Sequence, residues 1–268
     1  MTPSIRPLVA GNWKMNGTRN ALGELRAIAA GIHSDLAYLL DALICVPATL
    51  LYAAREALDG EKLLLGGQDC HSFASGSYTG DISAAMLKDV GAHYVILGHS
   101  ERRQAYHESN ELIGRKMQAA WKAGLCVILC VGESLAEREA GKTLTLIAKQ
   151  LDDSIAQAQQ EKNTENMTPH NLIIAYEPLW AIGTGQAANL GAVSEVHDFM
   201  RIYLEQRYGT IARTIRLLYG GSVKSDNALG LLGLSNVDGA LVGGASLLAE
   251  DFLAICDVYR KITHKIIP

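Results

Sequence analysis

Acid–base chemistry is indicated by three side chains that each follow a short apolar run. Lys14 comes after the first run, His99 after the fourth and Glu177 after the sixth. A carboxylate can remove a proton, an imidazole can donate a hydrogen bond to a substrate oxygen, and a fixed cation can stabilise negative charge that develops there. Each residue alone is more often structural or solvated, so the prediction depends on a fold that brings the three together.

Glycine-rich turns follow the last two apolar runs, at Gly220-Gly221 and at Gly243-Gly244. A backbone N–H group with no Cβ in the way, at the start of a short helix, binds phosphate well. The turns after strands 7 and 8 are where α/β barrels often hold a phosphate group. Together the two turns predict a phosphorylated substrate.

A lid is predicted directly after Glu177. Pro178 biases Glu177 away from helical geometry and marks the end of a strand. Apolar side chains then occur in what should be a surface loop that ends in glycines, which is typical of a segment that folds over a ligand and excludes water. The predicted lid consists of Pro178, Leu179, Trp180, Ala181, Ile182, Gly183, Thr184 and Gly185.

His99 is followed by Ser100 and Glu101, and these residues are expected to begin a short helix. The positive end of the helix dipole would then lower the pKa of the imidazole. We therefore expect a neutral ring that donates a hydrogen bond to a substrate oxygen.

Eight short apolar runs are available to position these groups. Each is too short for a helix and lacks polar alternation, as is typical of parallel strands covered on both faces. The runs are residues 7–10, 42–46, 63–65, 94–97, 126–131, 172–176, 215–219 and 239–242.

Segments with helical spacing separate the runs. Examples are Ile113, Met117, Ala120 and Trp121; Leu144, Ile147, Leu151 and Ile155; and Val193, Val196, Met200 and Tyr203. Eight strand–helix units predict an α/β fold, a closed (β/α)8 barrel in one domain over residues 1–268. An open doubly wound sheet is the alternative, but no GxGxxG follows the first strand. The polar stretch 157–171 is expected on the N-terminal face of the barrel, away from chemistry.

Composition excludes several classes of protein. With 49% apolar and 19% charged residues the chain can bury a large core, and 28 acidic against 24 basic residues leave no basic stripe for nucleic acid. No run reaches the roughly 18 apolar residues of a membrane helix, and residues 1–7 contain no signal-peptide core, so we expect a cytoplasmic protein. The chain contains five cysteines and no CxxC pair. We expect them to be small buried side chains that form no disulfide and bind no zinc.

Five motifs give the chain its resemblance to a known family. They are GNWKMNG at residues 11–17, GHSERR at 98–103, AYEPLWAIGTG at 175–185, YGGSV at 219–223 and DGALVGGASL at 238–247. Over essentially its whole length and in this order, the chain resembles the triosephosphate isomerases. The resemblance implies isomerisation of dihydroxyacetone phosphate and D-glyceraldehyde 3-phosphate, in glycolysis and gluconeogenesis, with no cofactor and no metal.

Residue roles are also implied by the resemblance. Glu177 would be the base, His99 the electrophile, and Lys14 and Asn12 substrate contacts. Glu101 would pair with Lys14, and Ser100 would support the site. Main-chain N–H groups would hold the phosphate, at Gly183, Ser222, Gly243 and Gly244.

A homodimer is implied as well. The long polar loop 68–81 follows the third strand, and in the family it docks into a second subunit, where Thr79 would reach the neighbouring active site. Three departures from the family pattern stand out. Asp69 stands where many members carry Asn, and a carboxylate there bears on the pH tolerance of the interface. Residues 186–190 differ from the usual segment after the lid. The polar stretch before strand 6 is a few residues longer than is usual in the family.

Two alternative functions share these features. A paralogue acting on four-carbon ketose phosphates would keep the same base, electrophile and phosphate turns. A noncatalytic dimer that binds sugar phosphates or a protein partner would have no use for a base, and the presence of Glu177, His99 and Lys14 argues against it.

Overall fold

Eight parallel strands close into a barrel in the computed structural model, which describes residue 2 and residues 5–32, 35–160, 167–181 and 188–266. Each strand pairs with its sequence neighbours, and β1 pairs with β8 to complete the circle. The strands are β1 Leu8–Asn12, β2 Asp41–Cys45, β3 Leu64–Gly67, β4 Tyr94–Leu97, β5 Cys126–Val131, β6 Leu172–Tyr176, β7 Arg216–Tyr219 and β8 Gly239–Val242. The predicted barrel is confirmed, and the open sheet is wrong.

The strand boundaries agree with the apolar runs to within two residues. The largest differences, of two residues, are at the ends of β1 and β3. β1 continues past Ala10 because Gly11 and Asn12 pair with Ile44 and Cys45 of β2. Backbone pairing does not depend on side-chain polarity, so hydropathy ends the strand too early. The extension has a consequence for the site, since it carries Asn12 to the C-terminal edge of the barrel.

Helices cover the outside of the barrel. Within the described residues they are α1 Leu22–Ile32, α2 Leu36–Leu39, α3 Ala48–Ala57, α4 Ala84–Asp89, α5 Ser100–Tyr106, α6 Asn110–Lys122, α7 Leu135–Glu139, α8 Thr143–Ala158, α9 Leu190–Tyr208, α10 Ala228–Leu232 and α11 Ala249–Ile266. The predicted apolar positions on α6, α8 and α9 pack against the core. No described helix is both long enough and apolar enough to cross a membrane.

The core has two parts. Alternate strand residues such as Leu8, Leu43 and Ile128 fill the barrel, and a larger cluster lies between the strands and the helices. All five cysteines are buried, as expected of small apolar side chains. Burial of this apolar surface is the main force that holds the strands in register.

The polar stretch 157–171 connects α8 to β6, as expected, although residues 161–166 lie outside the described part. Thr168 and Asn171 lie beside Cys126 at the start of β5, on the N-terminal side of the barrel. This end is far from the strand termini that carry Lys14, His99 and Glu177.

A buried histidine packs behind β6. His197 of α9 is fully buried, and its Nδ1 lies 2.9 Å from the carbonyl oxygen of Asn236, which accepts the ring proton. Nε2 has no hydrogen-bond partner among the described residues. Burial lowers the pKa of His197 to about 4, so the ring is neutral in the folded chain.

This histidine is expected to make the folded state sensitive to acid. Its folded pKa lies below the ordinary value of about 6.5, so the unfolded chain takes up the proton first as the pH falls. The contribution of His197 to the free energy of unfolding should therefore be complete above pH 6.5. It should fall by about 3 kcal/mol as the pH is lowered to 4. Urea unfolding of His197→Gln at fixed protein concentration should show a flatter pH dependence, whereas the exposed control His170→Gln should follow the parent chain. Equal slopes for His197→Gln and the parent would contradict this.

Candidate active site

A cavity of about 250 Å³ opens at the C-terminal ends of the strands. It brings together most of the residues that the sequence indicated, although they come from five strands of the barrel. Among its lining residues are Asn12, Lys14, His99, Glu177, Gly220, Gly221, Ser222, Gly243 and Gly244. The base, the imidazole, the cation and the glycine turns therefore share one cavity.

Glu177 follows β6 and is almost completely buried, with 2% of its surface exposed. One carboxylate oxygen lies 2.9 Å from Nε2 of His99, and the other accepts a hydrogen bond of 2.9 Å from the main-chain N–H of Ser100. Its own N–H donates to the carbonyl oxygen of Val131 at 2.7 Å. The carboxylate is thus held at the wall of the cavity by two donors.

Two glycines make room for Glu177. A Cβ at Gly132 would come within 1.8 Å of the Glu177 carbonyl oxygen, and one at Gly220 would come within 3.0 Å of its Cγ. Only a residue without a side chain fits at position 132. Gly132 was not among the predicted site residues, because one glycine after a strand is common and carries little signal.

His99 caps the N-terminus of α5, as predicted. Its Nδ1 accepts a hydrogen bond of 3.2 Å from the N–H of Glu101, so the proton of the neutral ring is on Nε2, which faces Glu177. Burial is the largest influence and lowers the pKa of His99, but the charge and hydrogen bond of Glu177, together with the charge of Glu101, raise it, and the pKa ends above its usual value. The expected lowering by the helix terminus is wrong for this arrangement, since contact with a carboxylate outweighs it.

Lys14 has a backbone conformation that is unusual for a residue with a side chain, with φ at 55°. Asn12 stabilises it by accepting the Lys14 N–H at 3.0 Å, and Gln68 donates to the Lys14 carbonyl oxygen at 2.8 Å. The ammonium group lies 2.6 Å from Glu101, which is the expected pair. Gln68 was missed as a site residue, because a polar residue at the start of a polar loop has no distinguishing sequence signal.

The first part of the predicted lid is anchored to a buried carboxylate. Leu179–Ala181 forms a 3₁₀ turn, in which the N–H of Leu179 donates to the carbonyl oxygen of Glu133 at 3.1 Å. The indole N–H of Trp180 donates to the Glu133 carboxylate at 3.0 Å, as does the hydroxyl of Tyr176. Glu133 was also missed, although a charged residue just past β5 was a usable signal. Lid residues 182–185, which include Gly183, lie outside the described part of the chain.

The glycine turns line the same cavity as Glu177, and the turn after β7 begins beside it at Gly220. Gly243 lies beside Lys14, because a Cβ built there would be 3.6 Å from the lysine Cε. A short 3₁₀ helix, Gly244–Ser246, follows β8. After β7 the next helix begins only at Ala228, so the expected helix start is absent directly behind Ser222. The two turns still line one cavity, which Lys14 also lines.

A second groove, of about 300 Å³, lies behind the same catalytic candidates. It is also lined by Asn12, Lys14 and His99, together with Met15 and Asp69. These candidates therefore form a wall between two cavities. Thr79 is exposed on the loop after β3 and does not line this groove in its own chain.

Asp69, the unusual loop residue, is part of a charged cluster. Its carboxylate lies 2.8 Å from Lys116 and 2.8 Å from Arg102, and Glu108 contacts the same two cations. Burial raises the pKa of Asp69, although Lys116 opposes the shift. The carboxylate is thus held within its own chain rather than projecting freely from the loop.

Comparisons with known proteins agree with this geometry. A family model described as triosephosphate isomerase matches residues 7–259. Triosephosphate isomerases of Bartonella quintana and Brucella melitensis are each 58% identical to the chain over 262 residues, which are 98% of this chain and the whole of each relative. A crystal structure of the Bartonella henselae triosephosphate isomerase superposes with a TM-score of 0.86 at 54% identity, covering 96% of this chain and all of that one.

Proposed function

The chain belongs to the triosephosphate isomerase family, and from that membership we propose how its residues interconvert dihydroxyacetone phosphate and D-glyceraldehyde 3-phosphate. It is an isomerase of the aldose–ketose type. The observation that carries the proposed division of roles is the single cavity lined by Glu177, His99, Lys14 and two glycine turns.

Glu177 acts as the base. Its carboxylate removes a proton from the carbon next to the substrate carbonyl, and the electron pair moves onto the carbonyl oxygen to give an enediolate. His99 donates from Nε2 to the oxygens, and Lys14 stabilises their negative charge. Glu177 then returns its proton to the former carbonyl carbon. The hydroxyl proton passes by way of Nε2 of His99 to the former carbonyl oxygen, and a new carbonyl forms on the carbon that lost its proton. No electrons are gained or lost overall, so the reaction requires no redox cofactor.

His99 acts as a neutral donor in this scheme. Contact with the charged Glu177 is the main reason that its pKa is raised. Once Glu177 has taken the substrate proton it is uncharged, and burial then favours the neutral ring. The hydrogen bond from the Glu101 N–H to Nδ1 keeps the remaining proton on Nε2, where the substrate oxygen can accept it.

The phosphate group binds to main-chain N–H groups of Gly183, Ser222, Gly243 and Gly244, with Asn12 and Lys14 next to the reacting carbons. The lid, residues 178–185, closes over the substrate and excludes water from the enediolate. The anchoring of Leu179 and Trp180 by Glu133 supports a lid whose first turn has a defined position.

A cytoplasmic homodimer of single-domain chains is the proposed assembly. The groove behind Asn12, Lys14 and His99 would expose these residues to water if it stayed open, and the loop of a second copy, with Thr79 at its end, has the polar character to fill it. Large apolar side chains are exposed both at this groove, where Met15 is 96% exposed, and on the loop after β3, where Phe73 is 55% exposed. Such exposure is typical of an interface.

Thr79→Arg tests the assembly. A long charged side chain at the loop end is expected to change the sedimentation coefficient at micromolar concentration from that of a dimer to that of a monomer. It should also lower kcat per chain at least about tenfold, because Asn12, Lys14 and His99 lose the support of the second subunit. Thr210→Arg, on an exposed turn beyond α9, is the matched control. A parent chain that sediments as a monomer and is fully active would refute the dimer.

The reaction itself is tested by a coupled assay on D-glyceraldehyde 3-phosphate. The isomerase reaction contains a chelator and no nucleotide, apart from what the coupling enzyme needs for the readout. We expect rapid turnover. A kcat/KM that is higher for a four-carbon ketose phosphate would favour the paralogue, since one carbon in a closed pocket changes discrimination by about 1–3 kcal/mol. Binding without turnover would favour the noncatalytic protein.

A further inference from the structure

Lys224 is a second lysine that lines the active-site cavity. It lies in the turn after β7, two residues beyond Ser222, and it is exposed at the rim. Neither the acid–base chemistry nor the main-chain phosphate contacts require it. Its position next to a glycine turn that faces a phosphorylated substrate makes its charge relevant.

The other charged groups of the site leave no excess of positive charge. The Lys14 ammonium pairs with the Glu101 carboxylate at 2.6 Å, and Glu177 is a buried anion. Within the described ranges, no carboxylate forms an ion pair with Lys224. Without Lys224 the cavity would therefore present no net positive charge to a phosphate dianion.

The turn that carries Lys224 is well defined. Asn227 accepts a hydrogen bond of 2.9 Å from the Lys224 N–H and donates one of 3.0 Å to the carbonyl oxygen of Ser222. Asn227 also donates its own N–H to the Lys224 carbonyl oxygen at 3.2 Å. The backbone of Lys224 is thus fixed beside Ser222, and its side chain remains free to point toward an incoming anion.

We propose that Lys224 is a substrate-attracting residue that draws the phosphate dianion to the two glycine turns and helps to retain it there. The inference rests on the proposed isomerase function and adds a residue to it. A cation at the rim of a cavity with low-dielectric walls raises the local concentration of an anionic substrate, and the effect weakens as salt screens it. The backbone N–H groups would then supply the directional bonds.

A charge series at this position tests the proposal. Three variants are compared with the parent chain: Lys224→Arg, Lys224→Gln and Lys224→Glu. For each, kcat/KM for D-glyceraldehyde 3-phosphate is measured from low to high ionic strength. Competitive inhibition by inorganic phosphate is measured as well. Lys62→Gln removes the same charge at an exposed position before β3, at the opposite end of the barrel, and is the matched control.

The expected result is graded by charge. At low ionic strength Lys224→Gln should lower kcat/KM about threefold to tenfold, Lys224→Glu should lower it further, and Lys224→Arg should stay close to the parent. The differences should shrink in high salt, and phosphate should inhibit the Gln and Glu variants less strongly. A loss of kcat/KM that is equal for Arg, Gln and Glu, or independent of salt, would indicate a structural role and overturn the proposal. So would Lys224 variants whose kcat/KM is the same as that of Lys62→Gln. Absence of activity in the parent chain would instead refute the isomerase function.

Discussion

Glu177→Gln is expected to lower kcat about a thousandfold while changing the affinity for a phosphorylated inhibitor only a few fold. Glutamine has the same shape and can still accept the hydrogen bond from the Ser100 N–H, but it cannot take a proton from carbon. Loss of a positioned general base costs about 10²–10⁴ in rate. Because the proposed phosphate contacts are main-chain N–H groups, which the substitution leaves unchanged, binding of the inhibitor should persist.

The matched control for this prediction is Glu195→Gln. Glu195 is a carboxylate of α9 whose side chain is 58% exposed, and it lies outside the cavity. Its removal should leave kcat within twofold of the parent, a change that corresponds to about 0.4 kcal/mol. Thermal unfolding of both variants separates loss of chemistry from loss of fold. Retention of a tenth or more of the parent kcat by Glu177→Gln would show that another group removes the proton.

Lys14→Gln is expected to lower kcat/KM for D-glyceraldehyde 3-phosphate by about 10²–10³-fold. Lys14 lies between Glu101 and the Gly243 turn, so its charge is close to both the enediolate oxygens and the phosphate. The change also leaves Glu101 without its cation beside Nδ1 of His99, which lies 3.7 Å from that carboxylate. Both consequences oppose formation of a negative transition state.

Lys14→Arg separates the charge of this residue from its geometry. The backbone bonds to Asn12 and Gln68 do not involve the side chain of residue 14, so its left-handed conformation should survive both substitutions. Arginine keeps the charge but is larger, and it should restore only part of the activity. Lys261→Gln, an exposed substitution on α11, is the control for net charge. An unchanged kcat/KM in Lys14→Gln would remove Lys14 from the mechanism.

The fold was predictable because parallel barrel strands are buried on both faces and therefore appear as uninterrupted apolar runs. Tyr94–Leu97 and Cys126–Val131 begin and end where their runs do. β1 is longer than its run, since Gly11 and Asn12 extend the ladder through backbone pairing alone. Hydropathy therefore locates strands well and their ends less well.

The position of the site was predictable from topology, because the ends of parallel strands meet at one edge of the barrel. The interactions within it were not. Contact of His99 with Glu177 joins residues 78 positions apart and reverses the expected pKa shift. Gln68 and Glu133 support Lys14 and Trp180 through hydrogen bonds that no local pattern specifies.

A crystal structure with phosphoglycolate tests most directly whether Glu177 and His99 act on one substrate. Its carboxylate resembles the enediolate in charge, and its phosphate should bind at the turns after β7 and β8. We expect the Glu177 carboxylate to leave Nε2 of His99 and both groups to lie about 3 Å from the ligand carboxylate. If the phosphate binds at these turns while Glu177 and His99 stay bonded to each other and out of reach of the ligand, the proposed mechanism is contradicted.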